Sequence, residues 1–265
     1  AWVLPYDIND TPAIYNLPYE NISFKTSDQL EIKGWFIKNE MPSQTTLIVC
    51  HGFETNKSDI LGVASFLYRG GYNLLLFDFR GHGESQKSHC SFGLNEQYDL
   101  LGAVHFLKKH RFKQSQKIGL WGGSMGAAVG LVTAKICSEI SVIVSDCAFK
   151  SLSSALMNHL KLLYGLPKYP LGYLVVASYM IYFRKNPFFF TPLQAVGEFK
   201  NLKGLLIIHG KEDERTPVSD AYALYEKTIC PKEILIVEEA KHFESHAILE
   251  KKYETKVLEF FKKHL

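Results

Sequence analysis

The stretch that decides the fold is Ile118-Gly119-Leu120-Trp121-Gly122-Gly123-Ser124-Met125-Gly126. An apolar run stops on two glycines, a serine follows, and a helix rich in small residues runs from Met125 to Cys137. The pattern is G-x-S-x-G in a strand–turn–helix setting. Such a turn holds the serine hydroxyl out where it can attack a carbonyl, and its glycines let strand and helix approach closely.

Working outward, the strand–helix rhythm repeats on both sides of the turn. Thr46 to Cys50, Tyr72 to Phe77, Lys117 to Trp121, Val142 to Ser145, Leu205 to Ile208 and Ile234 to Val237 read as strands. Ser58 to Tyr68, Glu96 to Lys109, Val218 to Lys227 and His246 to Lys263 have helical spacing. Continuous apolar strands alternating with amphipathic helices predict a parallel sheet covered on both faces. Asn21 to Lys25 and Glu31 to Ile37 alternate apolar and polar, predicting an antiparallel hairpin ahead of it. The whole chain, 1–265, reads as one domain. The segment from Phe149 to Lys203 breaks the rhythm; it is too apolar for a solvated loop and too long for a connection. It is expected to form a mostly helical cap over the strand ends, inserted at about 149–203.

A serine hydroxyl needs a base, and the base an orienting acid. On an elbow of this kind the chain order is Ser, then Asp or Glu, then His. Of the later histidines, His242 lies in a loop directly after a late strand, so it is the expected base, with His246 in reserve. The acid should follow Leu205 to Ile208, where Asp213 is preferred over the neighbouring Glu212 and Glu214 for its short side chain. Asp146, at the end of the preceding strand, is the second candidate. Two backbone N–H groups should face the oxyanion: that of Met125 at the helix start, and that of Phe53 after His51-Gly52. Asp78-Phe79-Arg80-Gly81-His82-Gly83-Glu84-Ser85 places a histidine ahead of the serine, the wrong order, and is read as a structured turn with Arg80 and Asp78 paired.

Composition narrows the function classes. A net charge of +3, with basic residues scattered, argues against nucleic acid as a partner. The five cysteines, an odd number without a C-x-x-C pair, argue against a disulfide framework or a zinc site. No apolar run reaches the length of a spanning helix, Leu171 to Phe183 coming nearest. No secretory signal is evident, and the first residue is Ala1 rather than Met. Localisation therefore stays open: cytoplasmic, or membrane-associated if an anchor precedes Ala1.

Together, His51-Gly52-Phe53, Asp78 to Ser85, Gly122 to Gly126, His209-Gly210-Lys211-Glu212-Asp213 and Lys241-His242 resemble the α/β-hydrolase superfamily over nearly the whole chain. Val144 to Leu152, Lys241 to Ser245, Ile22 to Asp28 and Ile32 to Phe36 are similar to its bacterial esterase and serine aminopeptidase-like branch, related to monoacylglycerol lipases. The resemblance implies the α/β-hydrolase fold: an eight-stranded, mostly parallel sheet with strand two reversed, helices on both faces, and a helical cap between strands six and seven. Lipases of this group usually carry G-H-S-x-G; Gly123 in place of that histidine leans toward a general esterase.

The expected activity is carboxylic ester hydrolysis through an acyl-enzyme, by Ser124, His242 and Asp213, without metal or organic cofactor. The expected partner is a small ester with an apolar acyl or aryl group, and an aromatic cap could also dock on a membrane surface. Leu156, Leu160, Tyr164 and Tyr179 are the candidates to line the pocket. Thioesterases and depalmitoylases use the same three residues. A peptidase would need a carboxylate for the substrate amine, and the cap from Ser151 to Thr191 contains no Asp or Glu. A non-catalytic binding module is the remaining alternative.

Overall fold

In the computed structural model, residues 10–167 and 169–265 are described, apart from the side chain of Leu163; Ala1 lies outside them. Eight strands form one sheet: β1 (Glu20–Lys25), β2 (Glu31–Ile37), β3 (Thr45–Cys50), β4 (Asn73–Phe77), β5 (Lys117–Gly123), β6 (Ile140–Asp146), β7 (Gly204–Gly210) and β8 (Lys232–Val237). Their order across the sheet is β1-β2-β4-β3-β5-β6-β7-β8. β2 is antiparallel to both its neighbours, and β4 through β8 pair in parallel. This is the α/β-hydrolase arrangement that the resemblance implied.

The sheet separates two apolar layers, and the two-residue period of the strands assigns each side chain to one of them. In β4, Leu75 and Phe77 join the layer beneath α2 (Glu96–His110), α3 (Met125–Ala134) and α7 (Val218–Lys227). Leu74 and Leu76 face the opposite layer, beneath α1 (Leu61–Arg69) and α9 (Lys251–His264). A sheet buried on both sides leaves its strand ends as the place where a site can open.

Between β6 and β7 the chain forms α4 (Leu152–Tyr164), α5 (Leu171–Phe183), a 3-10 turn (Pro187–Phe189) and α6 (Pro192–Val196). α4 and α5 pack on each other as a hairpin, whereas α6 returns to the body against α3 and α7. The part that stands over the strand ends is thus shorter than the expected 149–203.

Three other expectations are corrected. The last helix does not start at His246: a short α8 (Ser245–Leu249) holds that residue, and the chain turns at Glu250 (φ 44°) before α9. α1 starts at Leu61 rather than Ser58, because the side chains of Asn56 and Asp59 hold the preceding residues in turns. Arg80 does not pair with Asp78. The Asp78 carboxylate accepts the N–H groups of Lys57 and Glu84 and the Lys57 ammonium at 2.6 Å. Arg80 instead reaches Asp99 of α2 and Asp28, each at 2.7 Å. Both clusters tie the turn after β4 to its surroundings.

Candidate active site

Ser124 stands between β5 and α3 with φ 50° and ψ −114°, a backbone region that costs a non-glycine residue about 1–3 kcal/mol. Two hydrogen bonds hold it there: its N–H donates to the Asp146 carbonyl at 2.8 Å, and its carbonyl accepts from Ala128 N–H at 3.0 Å. The turn needs small neighbours. A Cβ on Gly126 would lie 2.5 Å from the carbonyl oxygens of Cys50 and His51. A Cβ on Gly123 would strike the ring of Phe243, which meets Trp121 edge-on.

His242 Nε2 is 3.0 Å from Ser124 Oγ, and its Nδ1 is 2.7 Å from Asp213 Oδ2. The three side chains come from the ends of β5 and from the loops after β7 and β8, brought together by the strand order. The Asp213 carboxylate is held further by Thr216, whose Oγ1 and N–H donate at 2.7 and 2.9 Å. His209 Nε2 donates to the Thr216 carbonyl at 2.8 Å and lies 3.4 Å from Asp213 Oδ2. Burial pushes the Asp213 pKa up, but the bonds from His209 and His242 outweigh it and hold the carboxyl well below its usual range. It is thus an anion facing Nδ1, which requires that nitrogen to carry the proton and leaves Nε2 lone-pair-bearing toward the serine whenever the ring is neutral.

The other candidates fall elsewhere. Asp146 is fully buried behind the elbow and accepts from the Tyr253 hydroxyl at 2.7 Å, which in turn accepts from Trp121 Nε1 at 2.9 Å. Burial raises its pKa to about 6. His246 packs against Phe66 and Tyr253. Glu212 and Glu214 are exposed.

The loop after β3 is fixed by His51. Its ring is buried, Nε2 accepts from Phe79 N–H at 3.0 Å, and Nδ1 therefore donates to the Gly52 carbonyl at 2.6 Å. Burial holds its pKa down, so the ring is neutral. Gly52 lies against Ser124, with an added Cβ only 3.5 Å from the serine Cβ. Phe53 follows, packed on Phe92 at 4.3 Å between ring centres. Met125 is the first residue of α3, where an N–H has no partner within the helix. Phe53 and Met125 both border the cavity beside Ser124.

That cavity has a volume of about 800 Å³ and reaches from Ser124 and His242 to α4. Phe149, Leu152, Ala155 and Leu156 make one apolar wall, and Leu162 and Tyr164 form its lip. Leu156 and Tyr164 are both among the residues that border it. Leu160 and Tyr179 do not border it: Leu160 is buried in the hairpin, and Tyr179 turns into the core to donate to the Ser91 carbonyl at 2.7 Å. Carboxylates do reach the cavity, though none comes from the cap. They are Glu54, Glu212 and Glu214, with Arg215 and Lys241 among them.

Among the described residues, one group has the donor types of a metal site: Cys147, Asp213 and His242. Asp213 and His242 already bond each other, and burial pushes the Cys147 thiol well up, which disfavours the thiolate a metal requires. Their arrangement fits a proton relay better than an ion.

Thr216 and Phe243 are the site residues that sequence reading did not single out; His209 lies in a stretch that carries the resemblance, but is given no role toward Asp213 there. A Thr three residues after a candidate acid, and a bulky residue after the candidate base opposite a glycine elbow, are their only signals in the sequence. Each becomes meaningful once the loops are brought together.

Comparison with known proteins agrees with this architecture. Residues 45–178, half of the chain, match the family model described as the alpha/beta hydrolase fold. The chain is 32% identical over 235 residues to the uncharacterized protein YqkD of Bacillus subtilis, covering 87% of this chain and 75% of YqkD. Among solved structures it is similar to the Pyrococcus furiosus esterase Pf2001, at 26% identity and a TM-score of 0.84, covering 100% of this chain and 98% of that one. Acylaminoacyl peptidase of Pyrococcus horikoshii shares the fold, at 19% identity and a TM-score of 0.72 over 94% of this chain and 42% of the peptidase. By its family match, its sheet order and its elbow, the chain belongs to the α/β-hydrolase fold family.

Proposed function

We propose that this protein is a serine hydrolase that cleaves carboxylic esters carrying an apolar acyl or aryl group. The observation that carries the reading is the continuous Ser124–His242–Asp213 hydrogen-bonded chain, at 3.0 and 2.7 Å, opening onto an apolar cavity. Ser124 Oγ attacks the ester carbonyl carbon while His242 Nε2 takes the hydroxyl proton. Asp213 stays ionised, fixes the ring tautomer and stabilises the imidazolium. The N–H groups of Phe53 and Met125 donate to the oxyanion, a contribution of about 3 kcal/mol per donor in enzymes of this kind. The imidazolium returns its proton to the departing alcohol. Water, deprotonated by the same Nε2, then attacks the acyl-enzyme; the imidazolium returns the proton to Ser124 Oγ as the acyl–oxygen bond breaks and the acid is freed. The apolar wall of Phe149, Leu152 and Leu156 takes the acyl or aryl group, burial being favourable by about 25 cal/mol per Å². The likeness to the Pyrococcus furiosus esterase supports the same chemistry.

The experiment is hydrolysis of p-nitrophenyl esters from acetyl to palmitoyl by wild type and Ser124→Ala. Activity that vanishes in the variant is the expected result. A folded wild type inert on every ester would overturn the esterase reading.

A peptidase is the second reading, favoured by Glu54, Glu212 and Glu214 in the cavity wall, which could hold a substrate amine that the cap has no carboxylate to bind. Hydrolysis of aminoacyl p-nitroanilides in preference to esters would select it.

A further inference from the structure

The outer surface of the α4–α5 hairpin has the wrong chemistry for water. In α5, Gly172, Val176 and Tyr179 turn inward, while Leu174, Ala177, Ser178 and Ile181 are exposed at one helical spacing. Leu174 is 62% and Ile181 80% exposed. Tyr169 just before the helix and Phe189 just after it are exposed at 77% and 81%. A solvated helix face is normally polar, and an exposed apolar patch of this kind marks an interaction surface.

Charge selects the partner. From Ser151 to Thr191 the sequence has Lys161, Lys168, Arg184 and Lys185 and no acidic residue. Lys161 and Arg184 are exposed. Aromatic and aliphatic side chains in a segment whose charged residues are all cations complement a layer with an apolar interior and anionic headgroups. At 13 residues α5 is too short to cross a bilayer, and among the described residues no helix is long and apolar enough to do so. The fitting geometry is a helix pair lying in the interface.

The same hairpin borders the cavity through α4. Leu162 and Tyr164 are both exposed and form the lip of the space that ends at Ser124. A surface that covered the hairpin would therefore lie at the cavity mouth.

We propose that the outer face of the α4–α5 hairpin docks on the surface of an anionic lipid bilayer, so that apolar molecules pass from the layer to the cavity without crossing water. Docking stands apart from the ester chemistry; only the use made of it rests on that reading.

The test is co-sedimentation with vesicles of phosphatidylcholine alone and of phosphatidylcholine mixed with phosphatidylglycerol. Wild type is expected to bind the mixed vesicles about tenfold more tightly, the difference shrinking in high salt. The double variant Leu174→Glu, Ile181→Glu should lose about tenfold or more of that binding while keeping the wild-type circular dichroism and melting temperature. Phe189→Asp serves if the double variant does not fold. Ser124→Ala should bind vesicles like wild type, which separates docking from catalysis. Absence of wild-type binding to mixed vesicles would overturn the proposal, as would undiminished binding by the folded variants. So would sedimentation velocity showing a dimer that the variants dissolve, since the face would then be covered by a second copy.

Discussion

The elbow at Ser124 and the α4–α5 hairpin face each other across one cavity, yet they are held on opposite terms. At the elbow, backbone hydrogen bonds, a strained φ and contacts that exclude even a methyl group leave the serine little freedom. The hairpin is held by an apolar inner stripe and a few polar ties, such as Tyr179 to Ser91 and Lys185 to Asn95 at 2.6 Å. Its outer face is exposed among the described residues. Proton transfer tolerates only small errors in distance, whereas enclosing an acyl chain needs apolar area and tolerates many side chains. The rigid region is therefore expected to govern rate, and the looser one to govern which substrate arrives.

The sharpest way to break that division is Ser124→Ala. It should lower ester hydrolysis by about 10⁴-fold or more without changing the melting temperature appreciably, as steady-state kinetics and calorimetry would show. Survival of activity would move the chemistry away from the elbow altogether.

A second test asks whether the elbow depends on Phe243. Gly123→Ala forces the Phe243 ring away and with it the His242 loop, and should cost about 10²-fold in kcat, with KM nearly unchanged. Adding Phe243→Ala makes room for the methyl group and should recover part of the loss. The cycle of four kcat values would show this as coupling of about 1–2 kcal/mol. Strict additivity would show that the ring and the glycine act independently.

Behind the elbow, Asp146 offers a test confined to the rigid region. Its pKa is raised from 3.8 to about 6 in the folded protein, mainly by burial. The unfolded chain therefore releases this proton at lower pH than the folded one. The group costs no stability below pH 3.8, and its cost grows as pH rises to about 6. Asp146→Asn should remove that slope. Relative to wild type, its urea-derived stability should improve by about 2 kcal/mol between pH 4 and 8, whatever fixed penalty the amide carries. A parallel pH dependence in both proteins would mean that Asp146 titrates normally.

The smallest expected effect belongs to the loose side. Leu156→Trp fills part of the apolar wall and should lower activity on long-chain p-nitrophenyl esters by about tenfold while sparing the acetyl ester. An equal loss on all chain lengths would show that α4 governs catalysis and not selection, and the contrast drawn above would fail.

Much of this was legible along the chain. The Gly122 to Gly126 pattern with its flanking strand and helix announces the elbow, because a sharp turn imposes residue types on a few adjacent positions. The order of Ser124, Asp213 and His242 is equally local in its signals, each residue lying just after an apolar strand. The opening hairpin and the reversed β2 also followed from short-range alternation and resemblance. What failed was of another kind. Arg80 sits two residues from Asp78, but its partners are 52 and 19 residues away, at Asp28 and Asp99. Tyr179, a candidate to line the pocket, instead has its hydroxyl on Ser91, 88 residues earlier.

The strand–helix rhythm, the elbow and the residue types available at each strand end are thus written locally in the chain, since they depend on backbone sterics and periodicity within a few residues. That Thr216 and His209 brace Asp213, that Phe243 fills the space over Gly123, and which cap side chains line the cavity instead of the core emerge on folding alone. Those outcomes depend on distances between loops far apart in the chain. They are set by how sheet and helices pack, and no local pattern encodes them.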